Sequence, residues 1–144
     1  MKENLEIVCP HCSAVNRVQS ARLGDRPKCG KCKRELFAAQ PVDLTAANFD
    51  QVISRTEIPV VVFFWAPWCG YCRAMIPAFQ QAAARLEPRF RLAKVNTEAE
   101  QMISGRFRVQ GVPTTVIFKN GQEAARQSGA MDLNNILRWI QANA

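Results

Sequence analysis

Six cysteines occur in the 144-residue sequence, and they form three C-x-x-C pairs: Cys9/Cys12, Cys29/Cys32 and Cys69/Cys72. A thiolate attacks disulfides and also binds zinc, so this spacing serves either dithiol exchange or metal binding. In a reducing cytosol the pattern favours these two chemistries over a framework of structural disulfides. The residues around each pair must decide between the two chemistries.

The third pair directly follows an apolar, β-branched run, residues 59–65, which is typical of a central strand buried on both faces. The segment at the pair then opens a helix. Free amide donors and the positive end of the helix dipole stabilise a thiolate at that point, so Cys69 is the expected nucleophile. Cys72 lies three residues further on the same helical face and is the expected resolving thiol.

The first two pairs have the arrangement C-x2-C-x16-C-x2-C. This spacing lets two knuckles place the thiolates of Cys9, Cys12, Cys29 and Cys32 tetrahedrally around one zinc ion. Four thiolates leave no open position for catalysis, and the surrounding segment has too few apolar residues for a core of its own, so we expect a structural zinc. His11 is not counted as a ligand. The alternative is that these cysteines form two further redox pairs.

The sequence divides near residue 40, into a four-cysteine module over residues 1–40 and an α/β domain over residues 41–144. The domain alternates strands and amphipathic helices and ends in a hairpin and a helix, which predicts a mixed central sheet with helices on both faces. The cysteine loop then lies at the carboxyl edge of a central strand. The predicted elements are a helix capped by Thr45, a strand over 59–65, a helix over 74–86 kinked at Pro77, a strand over 90–95, a helix over 98–107 capped by Thr97, strands over 114–118 and 122–127 joined by Asn120-Gly121, and a last helix capped by Asp132.

Two motifs carry a family resemblance: Trp65-Ala66-Pro67-Trp68-Cys69-Gly70-Tyr71-Cys72 after the buried strand, and Gly111-Val112-Pro113-Thr114 before a later one. Residues 41–144 resemble the thioredoxin family, and the whole chain resembles its zinc-containing bacterial branch. The resemblance implies a thioredoxin fold, a zinc-ribbon-like N-terminal module and a cis Val112–Pro113 bond facing the cysteine pair. It also implies a substrate-binding surface, which comprises Trp68, Gly70, Tyr71, Gly111, Val112 and Pro113.

The chain departs from the family pattern at two positions. Tyr71 stands where the family usually has proline, and Phe63 stands where it usually buries an acid that takes the proton of the resolving cysteine. Lys94 matches the usual partner of that acid. We therefore expect it to turn to solvent or to titrate at a lowered pKa. These changes predict a potential and a rate that differ from those of an ordinary thioredoxin.

The resemblance implies a reductase of disulfides in cytosolic proteins, which thioredoxin reductase recycles with NADPH. A thiol oxidant or isomerase is the second enzyme hypothesis, because of Tyr71 and Phe63. A third hypothesis is a binding module, in which the zinc ribbon contacts a partner and the rest is a scaffold. A metal half-site at Cys69 and Cys72 is disfavoured by the proline that the family places opposite the pair.

The formal charge of +7 becomes +5 when four thiolates and one zinc dication are included, since these add −4 and +2. This excess favours anionic partners only weakly. Phe37 alone does not make an aromatic stacking platform in the module, so nucleic-acid binding is not expected. The sequence has no secretory apolar run and no membrane-length apolar stretch, so we expect a cytoplasmic protein without a membrane partner.

Overall fold

Two sheets organise residues 2–144, the part of the chain that the computed structural model describes. The first pairs β1 and β2 antiparallel, and the second has the strand order β3-β5-β4-β6-β7. In the second sheet β3, β5 and β4 run parallel, while β6 and β7 are antiparallel to their neighbours. The elements are β1 (Asn4–Val8), β2 (Val15–Gln19), β3 (Val42–Asp43), α1 (Phe49–Arg55), β4 (Val60–Trp65), α2 (Gly70–Leu86), β5 (Arg91–Asn96), α3 (Gln101–Arg106), β6 (Thr114–Lys119), β7 (Gln122–Ser128) and α4 (Leu133–Asn143).

The central strand β4 is buried on both faces, as its apolar run predicts. Phe49 of α1 and Ile103 of α3 pack against one face, which carries Val60, Val62 and Phe64. The other face carries Val61 and Phe63 and is covered by α2 and α4, through residues such as Phe79 and Ile136. The predicted mixed sheet with helices on both faces is confirmed.

The predicted start of α1 is wrong by several residues, because Thr45 heads a separate turn. Its Oγ1 accepts from the Ala47 amide at 3.2 Å, and its own amide donates to Asn48 Oδ1 at 2.7 Å. The helix begins only at Phe49. These side chains hold a separate turn, which competes with the first helical turn.

The same competition displaces the start of α3. Asn96 Oδ1 accepts from the amides of Glu98 and Ala99, at 3.0 and 3.3 Å, and so holds a turn where the sequence predicts a helix. Thr97 donates its hydroxyl to the Trp65 carbonyl at 3.1 Å instead of capping. The helix begins at Gln101.

Other local predictions are confirmed. Asp132 caps α4 by accepting from the Asn135 amide at 2.9 Å. Asn120 and Gly121 both have left-handed φ angles, 53° and 79°, which a tight hairpin turn requires. Helix α2 contains Pro77 but starts at Gly70, four residues before the predicted range.

The N-terminal module packs against the sheet at the end away from the cysteine pair. The Glu57 amide, just before β4, donates to the Glu6 carbonyl at 2.8 Å, and Arg91 at the start of β5 donates to the Leu36 carbonyl at 2.7 Å. Ile58 is buried in the core of the module. Since Cys69 follows the carboxyl end of β4, the module and the cysteine pair lie at opposite ends of the sheet. No helix among residues 2–144 is long and apolar enough to cross a membrane.

Candidate redox and metal sites

Cys69 is the N-cap residue of α2, with φ −87° and ψ 112°. Its Sγ accepts a hydrogen bond from the Cys72 amide at 3.2 Å. The sulfur therefore uses one of the free amides at the helix start, where the helix dipole also favours negative charge. This position is suited to a nucleophilic thiolate.

Cys72 lies in the first turn of α2 and is fully buried, whereas Cys69 is 6% exposed. It belongs to the same cluster as Phe63 and Phe79. Burial, with a further contribution from Cys69, raises the pKa of the Cys72 thiol to about 11. Cys72 is thus a protonated thiol at neutral pH and must lose a proton before it attacks a disulfide.

The loop before β6 faces the cysteine pair. The Val112–Pro113 bond is cis, and the Val112 carbonyl oxygen lies 3.8 Å from Cys69 Sγ. Thr114 holds the loop by donating its hydroxyl to the Gly111 carbonyl at 2.6 Å. The arrangement that the family resemblance implies for this loop is therefore present.

Two exposed aromatic residues lie beside Cys69 in the chain and form an aromatic rim. Trp68 is 69% exposed and Tyr71 is 76% exposed. Gly70 and Gly111 are also exposed, while Val112 is half-buried and Pro113 is buried. The six residues of the expected substrate surface thus lie near Cys69 in the chain or on the facing loop, although only some of them are open to solvent.

Phe63 is buried in the layer beneath α2, where the family pattern has an acid, and its ring lies 5.2 Å from that of Phe79. Lys94, on the neighbouring strand, turns toward the sheet edge. Its Nζ lies 3.6 Å from Asp43 Oδ1 and 5.8 Å from the centroid of the Trp65 ring. Lys94 thus forms an ion pair with an exposed carboxylate at the edge of the sheet.

The other four cysteines converge on one point in the N-terminal module. All four Sγ atoms lie within 4.8 Å of one another. Cys9 and Cys32 are 3.6 Å apart, and so are Cys12 and Cys29. A tetrahedral zinc site with Zn–S bonds of about 2.3 Å has S···S edges of about 3.8 Å. The donor set therefore fits a zinc ion in both chemistry and spacing.

Neighbouring groups orient these thiols. The amides of His11 and Lys31 donate to Cys9 Sγ and Cys29 Sγ, each at 3.4 Å. Amide donors, that of Cys32 first, lower the pKa of Cys29 to about 6, whereas burial raises the pKa of Cys9 to about 12. The His11 ring is directed to Arg34, 3.4 Å away, and lies outside the cluster.

Asn16 supports the cluster and was missed from the sequence. Its Oδ1 accepts from the Gly30 amide at 2.9 Å, and its Nδ2 donates to Cys29 Sγ at 3.5 Å. The side chain ties β2 to the second knuckle. Because this contact depends on the fold of the hairpin, no spacing in the sequence signals it.

A buried ion pair lies where the sheet meets the module, and it was also missed from the sequence. Arg91 and Glu87 have side chains only 1% and 2% exposed, with Nη1 and Oε2 3.2 Å apart. Arg91 also lies 4.4 Å from the centroid of the Phe37 ring. Burial raises the pKa of Glu87, and the guanidinium opposes that rise. No spacing in the sequence signals the pair, because Glu87 follows the end of α2 and Arg91 begins β5.

Comparison with known proteins gives two family matches. The model described as "Thioredoxin" matches residues 40–142, and the one described as "Thioredoxin 2, N-terminal", a zinc ribbon, matches residues 8–34. Thioredoxin C-3 of Corynebacterium nephridii is 39% identical over 93% of this chain and 92% of its own. Thioredoxin 1 of a Nostoc species is 37% identical over 72% of this chain and 94% of its own.

A solved structure of a mutant thioredoxin from Halobacterium salinarum superposes with a TM-score of 0.67 at 25% identity. It covers 74% of this chain and 93% of the other. The part left uncovered is of the size of the N-terminal module. The chain therefore belongs to the thioredoxin family, whose members are protein-disulfide reductases, and it carries the N-terminal zinc-ribbon domain of the thioredoxin 2 type.

Proposed function

We propose that Cys69 and Cys72 carry out the protein-disulfide reduction typical of the family. The Cys69 thiolate attacks a substrate disulfide, forms a mixed disulfide and releases one substrate thiolate. Cys72 loses its proton and attacks Cys69 Sγ, which breaks the mixed disulfide. The electron pair leaves with the second substrate sulfur, which takes up a proton, and the Cys69–Cys72 disulfide remains.

The placement of Cys69 carries this proposal. Its sulfur accepts an amide hydrogen bond at the start of a long helix and faces the loop at Val112. A substrate segment can lie across the exposed Trp68 and Tyr71 and use the backbone groups of Val112. The set proposed to bind substrate is Trp68, Gly70, Tyr71, Gly111, Val112 and Pro113.

The N-terminal module has a separate role in this proposal. Cys9, Cys12, Cys29 and Cys32 hold one structural zinc ion, which supplies the folding free energy that the small core of the module lacks. Residues 1–40 and 41–144 then form the two domains. A zinc ion bound by four thiolates has no open position, so it takes no part in the disulfide exchange.

The proposed partners are disulfide-containing proteins of the cytoplasm and an NADPH-dependent thioredoxin reductase that restores the dithiol. The second candidate, a thiol oxidant or isomerase, is favoured by Phe63 in the place of an acid and by the exposed Tyr71. The reduction potential separates the two. A reductase has a potential between the about −270 mV of thioredoxin and the about −200 to −230 mV of glutaredoxins, whereas a strong thiol oxidant reaches about −120 mV.

The experiment is insulin-type disulfide reduction with thioredoxin reductase and NADPH. The unaltered chain reduces the substrate, Cys69→Ser loses turnover, and Cys72→Ser accumulates a mixed disulfide at Cys69. Both variants keep the zinc content of the unaltered chain, which shows that they are folded at the module. Full turnover by Cys69→Ser would contradict the proposal.

A further inference from the structure

Thr115, the second residue of β6, has a side-chain hydroxyl whose role its contacts in the fold do not explain. Its side chain is fully buried, and its Oγ1 has no hydrogen-bond partner among residues 2–144. The adjacent Thr114 donates its hydroxyl to the Gly111 carbonyl. A buried hydroxyl that lacks a partner leaves the loss of its hydration uncompensated. Such a group in a native fold calls for an explanation.

The position of Thr115 suggests one. It lies directly opposite Phe63 in the antiparallel pairing of β4 and β6, so the two side chains share a face of the sheet. That face lies beneath α2, and Phe63 belongs to the same cluster as Cys72. Thr115 is also three residues after Val112, whose carbonyl oxygen contacts Cys69 Sγ. The hydroxyl is therefore in the layer beneath the cysteine pair.

Thr115 belongs to a row of residues that are aligned across the sheet, and the other polar side chains of this row are turned away from the layer beneath α2. The register across the sheet aligns Asp43, Lys94, Phe63, Thr115 and Gln127. Lys94 is paired with Asp43, which is 78% exposed at its side chain, and Gln127 is exposed on the outer strand. Thr115 is thus the one fully buried polar side chain of the row.

We propose that the Thr115 hydroxyl donates a hydrogen bond to the Cys72 sulfur as Cys72 becomes a thiolate, and so supports the resolving step. This inference rests on the function proposed above. The hydroxyl does not take the proton of Cys72. It stabilises the negative charge while the Cys72–Cys69 bond forms and the bond from Cys69 to the substrate sulfur breaks, and the proton passes to the released substrate thiolate.

The chemistry of Cys72 explains why such a donor matters. Burial raises the pKa of this thiol, so its thiolate is scarce at neutral pH. A hydrogen bond to a charged group is stronger than one between neutral groups, and Phe63 can donate none. Thr115 thus supplies, as a hydrogen-bond donor, part of what a buried acid supplies as a base.

The test uses Ellman's reagent, 5,5′-dithiobis(2-nitrobenzoate), in stopped flow with the full-length zinc-containing protein from pH 6 to 9. The first thionitrobenzoate is released when Cys69 attacks, and the second is released when Cys72 resolves the mixed disulfide. We compare Thr115→Val and Thr115→Ala with Thr115→Ser, which keeps a hydroxyl. Thr56→Val is the matched control, because Thr56 is also buried with an unpartnered Oγ1 but lies at the end of α1.

Thr115→Val and Thr115→Ala are expected to slow the second release by about tenfold at each pH, as loss of about 1.4 kcal/mol would. The first release stays unchanged. In a Cys69→Ser background, Thr115→Val also raises the pKa of Cys72 by about one unit. Thr115→Ser and Thr56→Val remain within about twofold of the unaltered chain, since a hydrogen bond of the expected size is kept in both.

An unchanged second release in Thr115→Val and Thr115→Ala would overturn the inference, and so would an equal slowing in Thr56→Val. The proposed function fails separately: in that case the unaltered chain shows no first release from Cys69. The two failures are therefore distinguishable in the same traces.

Discussion

The pair Cys69/Cys72 and the four cysteines of the N-terminal module share one spacing but lie in different surroundings, at opposite ends of the same sheet. Cys69 is at the start of a 17-residue helix, next to an exposed aromatic rim. The module cysteines sit in two knuckles, with their sulfurs within 4.8 Å of one another. The C-x-x-C spacing thus fixes only how far apart two sulfurs can lie, and their surroundings decide between exchange and metal binding.

The largest loss of stability is expected when one of the four clustered cysteines is replaced. Structural zinc contributes about 10–16 kcal/mol of binding free energy to small thiolate modules, so Cys29→Ser should lose zinc and the folded state of β1 and β2. Metal analysis under reducing conditions and hydrogen exchange of residues 2–40 measure both. Cys72→Ser is the matched control, because it keeps one zinc per chain and its module stays protected. Full zinc retention in Cys29→Ser would show that zinc binding does not require all four thiolates.

The second-largest loss of stability is expected at the contact between the N-terminal module and the sheet. Arg91→Met leaves the Glu87 carboxylate buried without its partner, which typically costs about 3–5 kcal/mol of the free energy of unfolding. Denaturant unfolding measures this loss, while the reaction of Cys69 with Ellman's reagent stays unchanged. The control is Arg126→Met, since Arg126 forms a partly exposed pair with Glu123 that contributes at most about 1 kcal/mol.

The double variant Arg91→Met/Glu87→Leu sharpens this result. It removes both buried charges and is expected to recover most of the lost stability. If Arg91→Met is no less stable than Arg126→Met, the buried contacts of Arg91 do not stabilise the protein as described.

A smaller effect, on the rate at which Cys72 resolves the mixed disulfide, is expected at Phe63. Phe63→Asp places a carboxylate beneath Cys72, next to Lys94 and Thr115 in the register of the sheet. We expect faster resolution and less trapped mixed disulfide, at a cost of roughly a few kcal/mol for a buried charge. Phe63→Asn is the control, because it is polar but cannot take a proton. Resolution at an unchanged rate in folded Phe63→Asp would mean that another base already serves Cys72.

The smallest effect concerns Tyr71. Its backbone amide is one of the free donors at the start of α2 and adds to the positive potential near Cys69, whose sulfur accepts its recorded hydrogen bond from the Cys72 amide. Tyr71→Pro should still lower the reduction potential, from a value toward the about −200 to −230 mV range of glutaredoxins to one nearer about −270 mV. Equilibration with glutathione measures it, with Tyr71→Phe as the control. A potential that rises in Tyr71→Pro would contradict this reasoning.

The sequence predicts those parts of the fold that depend on local pattern. The apolar run of β4, the Asp132 cap and the hairpin at Gly121 are confirmed because each follows from neighbouring residues. The starts of α1 and α3 are wrong because local turns, in which the side chains of Asn48 and Asn96 accept backbone amides, compete with the first helical turn. Such competition leaves no clear signal in a single sequence.

Contacts between distant segments could not be predicted. Arg91 is buried because it meets the Leu36 carbonyl and the ring of Phe37, more than fifty residues away in the chain. The two short strands β1 and β2 and the way the module packs on the sheet depend on the same long-range contacts. For the sites, the spacing and the family resemblance indicate the six cysteines. The role of Asn16 follows only from its side-chain contacts with the second knuckle, and that of Thr115 only from the register of the strands.

The contrast between one redox pair and four metal-binding cysteines is tested most directly by brief alkylation with iodoacetamide. The reduced, zinc-containing protein is treated at neutral pH, and mass mapping then measures the label at each of the six cysteines. We expect rapid labelling of Cys69 alone, because Cys72 is fully buried and the proposed zinc ion protects the module thiolates. Labelling of Cys72 before Cys69, or of Cys9 at the same rate as Cys69, would contradict the assignment of redox chemistry to one pair and metal binding to the other four cysteines.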